Sequence, residues 1–227
     1  MSDAHTPPSI EASDPDTTVE SAHAAPARKR PKPGERRIQI LQTLAEMLQQ
    51  PHGDRITTAA LAARLDVSEA ALYRHFASKA QMFEGLIEFI EQSVFTLVNQ
   101  IVEREEVAGG DPGTVGARQS ARVVAMLMQF AERNPGMARV MVGDALVFEN
   151  ERLQQRMNQF FDKIEATLKQ CLRGQLAGTS LTPTVDAQVR PAVLAAFVAG
   201  RLQRFVRSGF KRVPSEHLDA SLSLLLG

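Results

Sequence analysis

The fold is decided by residues 55–79, which read R-I-T-T-A-A-L-A-A-R-L-D-V-S-E-A-A-L-Y-R-H-F-A-S-K. Two short runs of helix-forming residues flank Asp66, and each begins with a hydroxyl residue that can cap a helix, Thr57 or Ser68. This pattern predicts two short helices joined by a tight turn. A helix held rigidly by a second one can enter the major groove of DNA, which is about 12 Å wide. The stretch is therefore predicted to be a DNA-reading helix-turn-helix.

The second short helix is expected to bury Leu72 and Phe76, which are four residues apart, with Val67 at the turn. The polar residues around these anchors are left to face outward. Hydroxyl, imidazole and ammonium groups among them can donate to phosphates, aided by the free N–H groups at helix starts. The predicted DNA-binding set is Arg55, Thr57, Thr58, Ser68, Glu69, Ala70, Tyr73, Arg74, His75 and Lys79.

Three alternatives stay open within this stretch. Glu69 either accepts a hydrogen bond from a cytosine amino group or only complements the helix dipole. His75 is either a phosphate donor or a surface imidazole. The stretch as a whole is either a DNA reader or a helical hairpin with a solvated polar face, and the coincidence of caps, turn, anchors and basic flanks favours the reader.

The segment before the reader, residues 1–33, is rich in Ser, Thr, Pro, Ala and acidic residues and becomes basic from Arg28 to Lys32. It has no apolar periodicity and is predicted to be a disordered tail. Its basic end is either merely solvated or an arm that binds the DNA backbone or minor groove.

Apolar residues recur at helical spacing through nearly all of the rest of the chain. Few runs resemble strands, so the fold class is predicted to be all-α with about nine helices. Pro191 is expected to kink the eighth helix or to mark its true start. The predicted helices are 35–50, 58–65, 69–76, 79–103, 114–133, 137–142, 146–173, 183–208 and 215–226. The predicted domains are the tail 1–33, a helix-turn-helix domain 34–94 and a helical dimerisation and partner-binding domain 95–227.

Composition excludes several classes of function. The formal net charge is zero, so contact with nucleic acid has to come from local basic clusters. The single cysteine, Cys171, excludes a disulfide within the chain or a multi-cysteine metal site and is expected to be core. No nucleophile–base pair, metal-ligand spacing or phosphate loop is present, so neither an enzyme nor a cofactor is expected. Neither a signal peptide nor a membrane span is expected, so the predicted location is the cytoplasm, with no membrane contact.

The last two predicted helices carry apolar residues that would pair with those of a second copy in a four-helix interface. A homodimer would present two readers and bind palindromic double-stranded DNA. The predicted dimer interface consists of Val193, Leu194, Phe197, Leu202, Phe205, Leu218 and Leu222.

Residues 57–79 resemble the N-terminal domain of the TetR-type regulators, although most members have Gly where this chain has Asp66. Four blocks, at 68–91, 130–140, 145–166 and 204–211, further resemble the TetR-type nucleoid occlusion factors. This closer resemblance covers roughly residues 35–215.

The resemblance implies a dimer that binds chromosomal sites on the nucleoid. In the DNA-bound form it would contact the tubulin-like division protein FtsZ and block ring assembly. No small-molecule effector is required. The FtsZ surface implied by the resemblance includes Phe89, Arg133 and Asn134.

The alternative is a transcriptional repressor that responds to a ligand. Met126, Met128 and Met157 could line an effector pocket, although a methionine-rich core is the plainer interpretation.

Overall fold

The computed structural model describes residues 34–50, 56–174 and 183–227, with side chains from 34 to 50, 56 to 173 and 187 to 227. Every regular element in these ranges is a helix, as the all-α prediction requires. Two short 3₁₀ turns, Asp144–Leu146 and Leu172–Gly174, adjoin the α-helices. The α-helices are α1 (Glu35–Met47), α2 (Thr58–Arg64), α3 (Glu69–Tyr73), α4 (Lys79–Ala108), α5 (Pro112–Arg133), α6 (Pro135–Met141), α7 (Glu151–Cys171), α8 (Pro183–Arg207) and α9 (Leu218–Leu226).

Local capping chemistry moves several helix boundaries away from their predicted places. Helix α5 begins at Pro112 because Asp111 accepts a hydrogen bond from the backbone N–H of Thr114 at 3.0 Å, within a segment that the sequence suggested was a loop. Helix α4 continues to Ala108 and ends where Gly109 adopts a φ of 72°. Helix α7 begins only at Glu151, after Asn150 caps it.

Helix α8 runs continuously from Pro183 through Pro191 to Arg207, so a start at Pro191 is excluded. Pro191 is buried. Two predicted features, the tail 1–33 and the loop after Gly174, lie outside the described residues.

Helix α4 connects the reader to the remaining helices. It packs against α1 at its start and against α5, α6 and α7 further along. Its buried face is a continuous apolar stripe in which each side chain is less than 2 % exposed. The residues of this stripe are Met82, Phe83, Leu86, Ile87, Ile90, Val94 and Val98. A single hydrophobic core therefore includes residues from both the reader and the C-terminal helices.

The start of α6 is pressed directly against the backbone of α1. A Cβ placed on Gly136 would lie 1.8 Å from the carbonyl oxygen of Ala45, so only glycine fits there. Arg139 adds hydrogen bonds to the carbonyl oxygens of Leu48 at 3.4 Å and Gln50 at 3.2 Å, and a salt bridge to Asp144 at 2.7 Å. A cation at the C-terminal carbonyls complements the dipole of α1. These contacts hold the first helix of the reader against the body of the protein.

Cys171 lies in the core, as the sequence predicted. Its side chain is buried, and this burial raises the pKa of the thiol to about 11, so the group is protonated at neutral pH. Met128 and Met157, at 0 % and 2 % exposure, also belong to the core. The interpretation as core residues is confirmed for these two methionines, whereas Met126 is only partly buried against the same core.

The predicted dimer interface requires correction. Helices α8 and α9 use most of their apolar residues to fill the core of their own protomer, and side chains buried there do not form the surface that meets a second copy. The residues reassigned to the core are Leu194, Leu202, Phe205, Leu218 and Leu222, each 7 % exposed or less. Val193 is 43 % exposed and Phe197 is partly buried, so these two keep an exposed surface.

Candidate nucleic-acid interface and partner cleft

The three helices at the reader each begin with a hydroxyl cap. Thr57 accepts from the N–H of Ala60 at 3.1 Å in α2, and Ser68 accepts from the N–H of Ala71 at 3.3 Å in α3. Ser78 accepts from the N–H of Gln81 at 3.2 Å in α4. The amide oxygen of Gln81 in turn accepts from the N–H of Ala77 at 2.9 Å, one residue before the cap, whereas a capping box would use the N–H of Ser78.

Helix α3 is anchored by the residues that the sequence indicated. Leu72 and Phe76 are each 1 % exposed, and Asp66 adopts the left-handed turn conformation with a φ of 55°. Arg37 adds a contact that sequence reasoning missed: its guanidinium lies 4.1 Å from the centroid of the Phe76 ring and donates to the carbonyl oxygen of His75 at 3.0 Å. The end of the reader is therefore attached to α1 by a cation–π contact and a hydrogen bond.

Most of the predicted DNA-binding residues lie on the exposed side of the reader. Thr58 and Lys79 are only partly exposed, and Arg55 lies outside the described residues. Tyr73 has 45 % of its surface exposed, an unusual fraction for a large aromatic residue. The exposed members are Thr57, Ser68, Glu69, Ala70, Tyr73, Arg74 and His75.

Hydrogen bonds join part of this set across the turn. Thr58 donates from Oγ1 to Oε2 of Glu69 at 2.5 Å, and the hydroxyl of Tyr73 lies 3.5 Å from the same Oγ1. In this arrangement the hydroxyl hydrogen of Thr58 is used within the protein. Thr58 therefore orients Glu69 in the unbound state, a relationship that the predicted role as a phosphate donor did not include.

Lys79 also has a partner that the sequence did not suggest. Its ammonium group forms an ion pair with Glu149, which lies between α6 and α7, and sits 5.6 Å from the centroid of the Phe83 ring. Lys79 and both threonines at the start of α2, Thr57 and Thr58, border one small closed space whose other lining residues are apolar. Lys79 is thus located between the predicted phosphate-binding groups and an internal carboxylate.

A cleft of about 420 Å³ lies where α1, α4 and the junction between α5 and α6 meet. Phe89 and Asn134, which the resemblance assigned to the partner surface, both line it. Arg133 is exposed and directly precedes Asn134. Asn134 is placed by its own local bonds, since its Nδ2 donates to the carbonyl oxygen of Phe130 at 2.8 Å.

The α1 side of this cleft was not foreseen from the sequence. Ala45 and Met137 are buried within it, whereas three polar residues of the α1 side remain exposed. Those polar residues are Gln42, Glu46 and Gln49. The only indication of this polar side in the sequence was that these three residues lie opposite the apolar stripe of the first helix.

Known protein families match both halves of the chain. The profile of the bacterial regulatory proteins of the tetR family matches residues 40–86, and that of the tetracyclin repressor-like C-terminal domain matches residues 118–227. The nucleoid occlusion factor SlmA of Photobacterium profundum is 49 % identical over 191 residues, which cover 84 % of this chain and 93 % of that protein. The chain belongs to the TetR family and, within it, to the SlmA nucleoid occlusion factors.

Other SlmA proteins show similar sequence identity to this chain. Those of Vibrio cholerae and Idiomarina loihiensis are 48 % and 47 % identical, and each alignment covers 84 % of this chain and 93 % of the relative.

Solved structures confirm the fold. The fatty acid degradation regulator FadR of Bacillus halodurans superimposes with a TM-score of 0.63 at 18 % identity, covering 86 % of this chain and 96 % of that one. A TetR-family regulator of Mesorhizobium loti gives 0.62 at 17 % identity, covering 87 % and 98 %. At these identities the likeness concerns the fold alone.

Two features common in other protein classes are not found in the described part of the chain. None of its helices has the length and apolar character that a membrane span requires. No group of three or more His, Cys, Asp or Glu side chains there is arranged to hold a metal ion.

Proposed function

We propose that the protein binds palindromic chromosomal DNA as a homodimer and, in the bound form, contacts FtsZ and prevents assembly of the division ring over the nucleoid. Membership of the SlmA nucleoid occlusion factors supports this proposal. The observation that carries it is the presence of two surfaces in one protomer: the exposed polar side of the reader, and a cleft that includes Phe89 and Asn134.

The DNA-binding half of the proposal rests on α2 and α3. Three hydroxyl-capped helix starts supply N–H groups that favour anions, and Arg74 and His75 add exposed polar groups nearby. The buried anchors Leu72 and Phe76 hold α3 rigidly beneath them. Such a helix is suited to the major groove, where base edges are read. Residues 34–94 form a head that binds DNA and also supplies Phe89 and the α1 side of the partner cleft. Residues 95–227 pair the protomers and complete the cleft with Asn134 and Met137.

The homodimer is proposed to form through the outward side of α8. Val189 and Val193 are each 43 % exposed, and Ala196 and Gly200 continue the same line at spacings of three and four. A Cβ added to Gly200 meets nothing within 4 Å, so nothing in the protomer requires glycine there. Small residues in this position allow a second α8 to approach closely. This surface replaces the core residues of α8 and α9 as the proposed interface.

The FtsZ half of the proposal rests on the cleft beside α4. Its buried parts, Ala45 and Met137, are apolar, and its exposed edge carries amide side chains and Glu46. An apolar base with a few polar groups at the edge is suited to a short peptide segment, whose side chains bury while its backbone meets the amides. Arg133 lies beside the cleft and would add a positive charge for an acidic peptide.

Sedimentation of FtsZ polymers tests the proposal directly. FtsZ is assembled with GTP and centrifuged alone, with the protein, and with the protein bound to duplex DNA carrying its chromosomal site. We expect the pelleted FtsZ to fall most when protein and cognate duplex are both present, and little with duplex alone. If the pellet is unchanged while a small metabolite releases the protein from its site, the protein is instead a ligand-responsive repressor.

A further inference from the structure

Lys79 links the reader to the helices behind it. It is the first residue of α4, and its ammonium group pairs with Glu149, 70 residues further along the chain. The side chains of Lys79 and Glu149 are 22 % and 10 % exposed. The pair is therefore partly shielded from water, and salt screens it less than it screens a surface ion pair.

The same ammonium group adjoins the proposed phosphate-binding site. Thr57 and Thr58 border the same small closed space as Lys79, so all three lie close together. Lys79 itself begins the 30-residue helix α4, where free backbone N–H groups favour an anion. A DNA phosphate bound there would bring a second negative charge to Lys79. One cation would then face two anions, a phosphate from outside and the Glu149 carboxylate from within.

We propose that Glu149 competes with the DNA backbone for Lys79, so that docking on DNA breaks this ion pair and releases the turn at 147–150. The inference rests on the proposed function, because it requires Lys79 to meet DNA. In the free protein Glu149 neutralises Lys79 and lowers the affinity for any duplex. On DNA the phosphate takes the ammonium group, and repulsion between the phosphate and the Glu149 carboxylate drives the carboxylate away.

The neighbouring ion pairs between α4 and α7 show why DNA would break the Lys79–Glu149 pair in particular. Arg156 binds Glu91 at 2.9 Å and Arg152 binds Glu84 at 3.5 Å, and none of these four residues belongs to the proposed DNA interface. Among these three pairs, Lys79–Glu149 has one member at the reader. DNA therefore competes directly with this attachment and leaves the ion pairs between α4 and α7 in place.

The released turn carries exposed apolar surface. Val147 and Phe148 are 58 % and 76 % exposed, and the N–H of Glu149 donates to the carbonyl oxygen of Leu146 at 3.0 Å. Asn150 then caps α7 by accepting from the N–H of Arg152 at 3.0 Å. A partner that prefers the released turn would bind the DNA-bound protein more tightly and, by linkage, would tighten DNA binding by the same factor. This gives a physical route from DNA occupancy to partner affinity.

Binding of a mixed-sequence duplex, followed by fluorescence anisotropy over a range of salt concentrations, tests the competition. Glu149→Gln should bind roughly fivefold more tightly at low salt, a modest coupling. Its plot of log affinity against log salt should steepen by about one unit, because one more cation is free for phosphate. Glu151→Gln is the matched control, since it removes the same charge two residues away; its slope should match that of the unaltered protein.

Two further measurements keep the outcome decisive. In a Lys79→Met background, Glu149→Gln should have no effect on affinity. Hydrogen exchange at residues 147–150 should accelerate when DNA is added to the unaltered protein and should already be fast in Glu149→Gln without DNA.

Equal effects of the two Gln variants, a gain that persists without Lys79, or exchange that DNA leaves unchanged would each overturn the inference while leaving DNA binding intact. Failure of the unaltered protein to bind any duplex at low salt would instead remove the proposed function, and the competition with it.

Discussion

Thr58 donates a hydrogen bond to Glu69 at 2.5 Å, which joins the first residue of α2 to the first residue of α3. A carboxylate on a DNA-facing surface repels phosphates unless it meets a donor. The cytosine amino group is such a donor in the major groove. The bond from Thr58 fixes the carboxylate in one position, which favours the interpretation of Glu69 as a base reader over a role limited to the helix dipole.

Glu69→Gln is expected to weaken discrimination at one base pair in each half-site, by about 1–3 kcal/mol, while raising the affinity for unrelated sequences. Thr58→Val should weaken the same discrimination without raising that affinity, because the charge stays but its orientation is lost. Competition between duplexes with single base changes measures both effects, and Thr58→Ser is the control that keeps the hydroxyl. If Glu69→Gln discriminates between bases at every position as well as the unaltered protein does, Glu69 does not contact a base.

Arg74→Gln should weaken binding to all duplexes and lower the slope of log affinity against log salt by about one unit, because one phosphate contact is lost. Arg64→Gln is the matched control: Arg64 is also an exposed arginine on the reader, but it lies at the end of α2 and does not belong to the predicted DNA-binding set. Anisotropy titrations at several salt concentrations compare the two. Identical slopes would exclude a phosphate contact for Arg74.

Arg133→Asp is expected to leave DNA affinity unchanged and to abolish the effect on FtsZ sedimentation, because it reverses the charge beside the partner cleft. Arg104→Asp, at an exposed position near the other end of α4, makes the same change of charge away from the cleft and should retain activity. Circular dichroism melting verifies that both variants fold. Loss of DNA binding together with FtsZ activity would indicate a folding defect, and full activity of Arg133→Asp would remove it from the partner surface.

Gly200→Met is expected to convert the homodimer to monomer, because a long side chain would separate two closely packed α8 helices. The protomer itself has room for the change, since a Cβ at Gly200 meets nothing within 4 Å. Analytical ultracentrifugation reports the change, with Gln188→Met, an exposed position on another side of α8, as the control. A dimer of undiminished affinity in Gly200→Met would exclude this side of α8 from the interface.

Gly136→Ala is expected to lower the free energy of unfolding by roughly 1–3 kcal/mol or more, the cost of overpacking at a site that does not yield. The obstacle is the carbonyl oxygen of Ala45, 1.8 Å from the added Cβ, and a backbone atom cannot rotate away. Chemical denaturation measures the change. If the denaturation midpoint of Gly136→Ala is unchanged or raised, α1 and α6 can move apart with little loss of stability.

Local sequence rules were sufficient to predict the helix-turn-helix. Thr57 and Ser68 cap the helices that they were predicted to cap, because each bond spans only three residues. The same rule was available at Asp111, where the surrounding glycines suggested a loop and the true start of α5 was missed.

Helical periodicity could not separate a core from an interface. Leu194 and Val193 are neighbours on one helix, yet Leu194 is 0 % exposed and Val193 is 43 % exposed. The spacing of apolar residues shows that a helix has a buried side. It does not show whether that side meets its own protomer or a second copy, because both bury the same kind of surface.

By itself, the sequence determined the helical class, the position of the reader, its caps and its two buried anchors, since these follow from interactions a few residues apart. The tertiary structure alone decided which groups meet across long separations in the chain. Arg37 reaches Phe76, and Lys79 reaches Glu149, over 39 and 70 residues respectively. Such pairs depend on how α1, α4 and the turn before α7 pack together, and no local pattern encodes that packing.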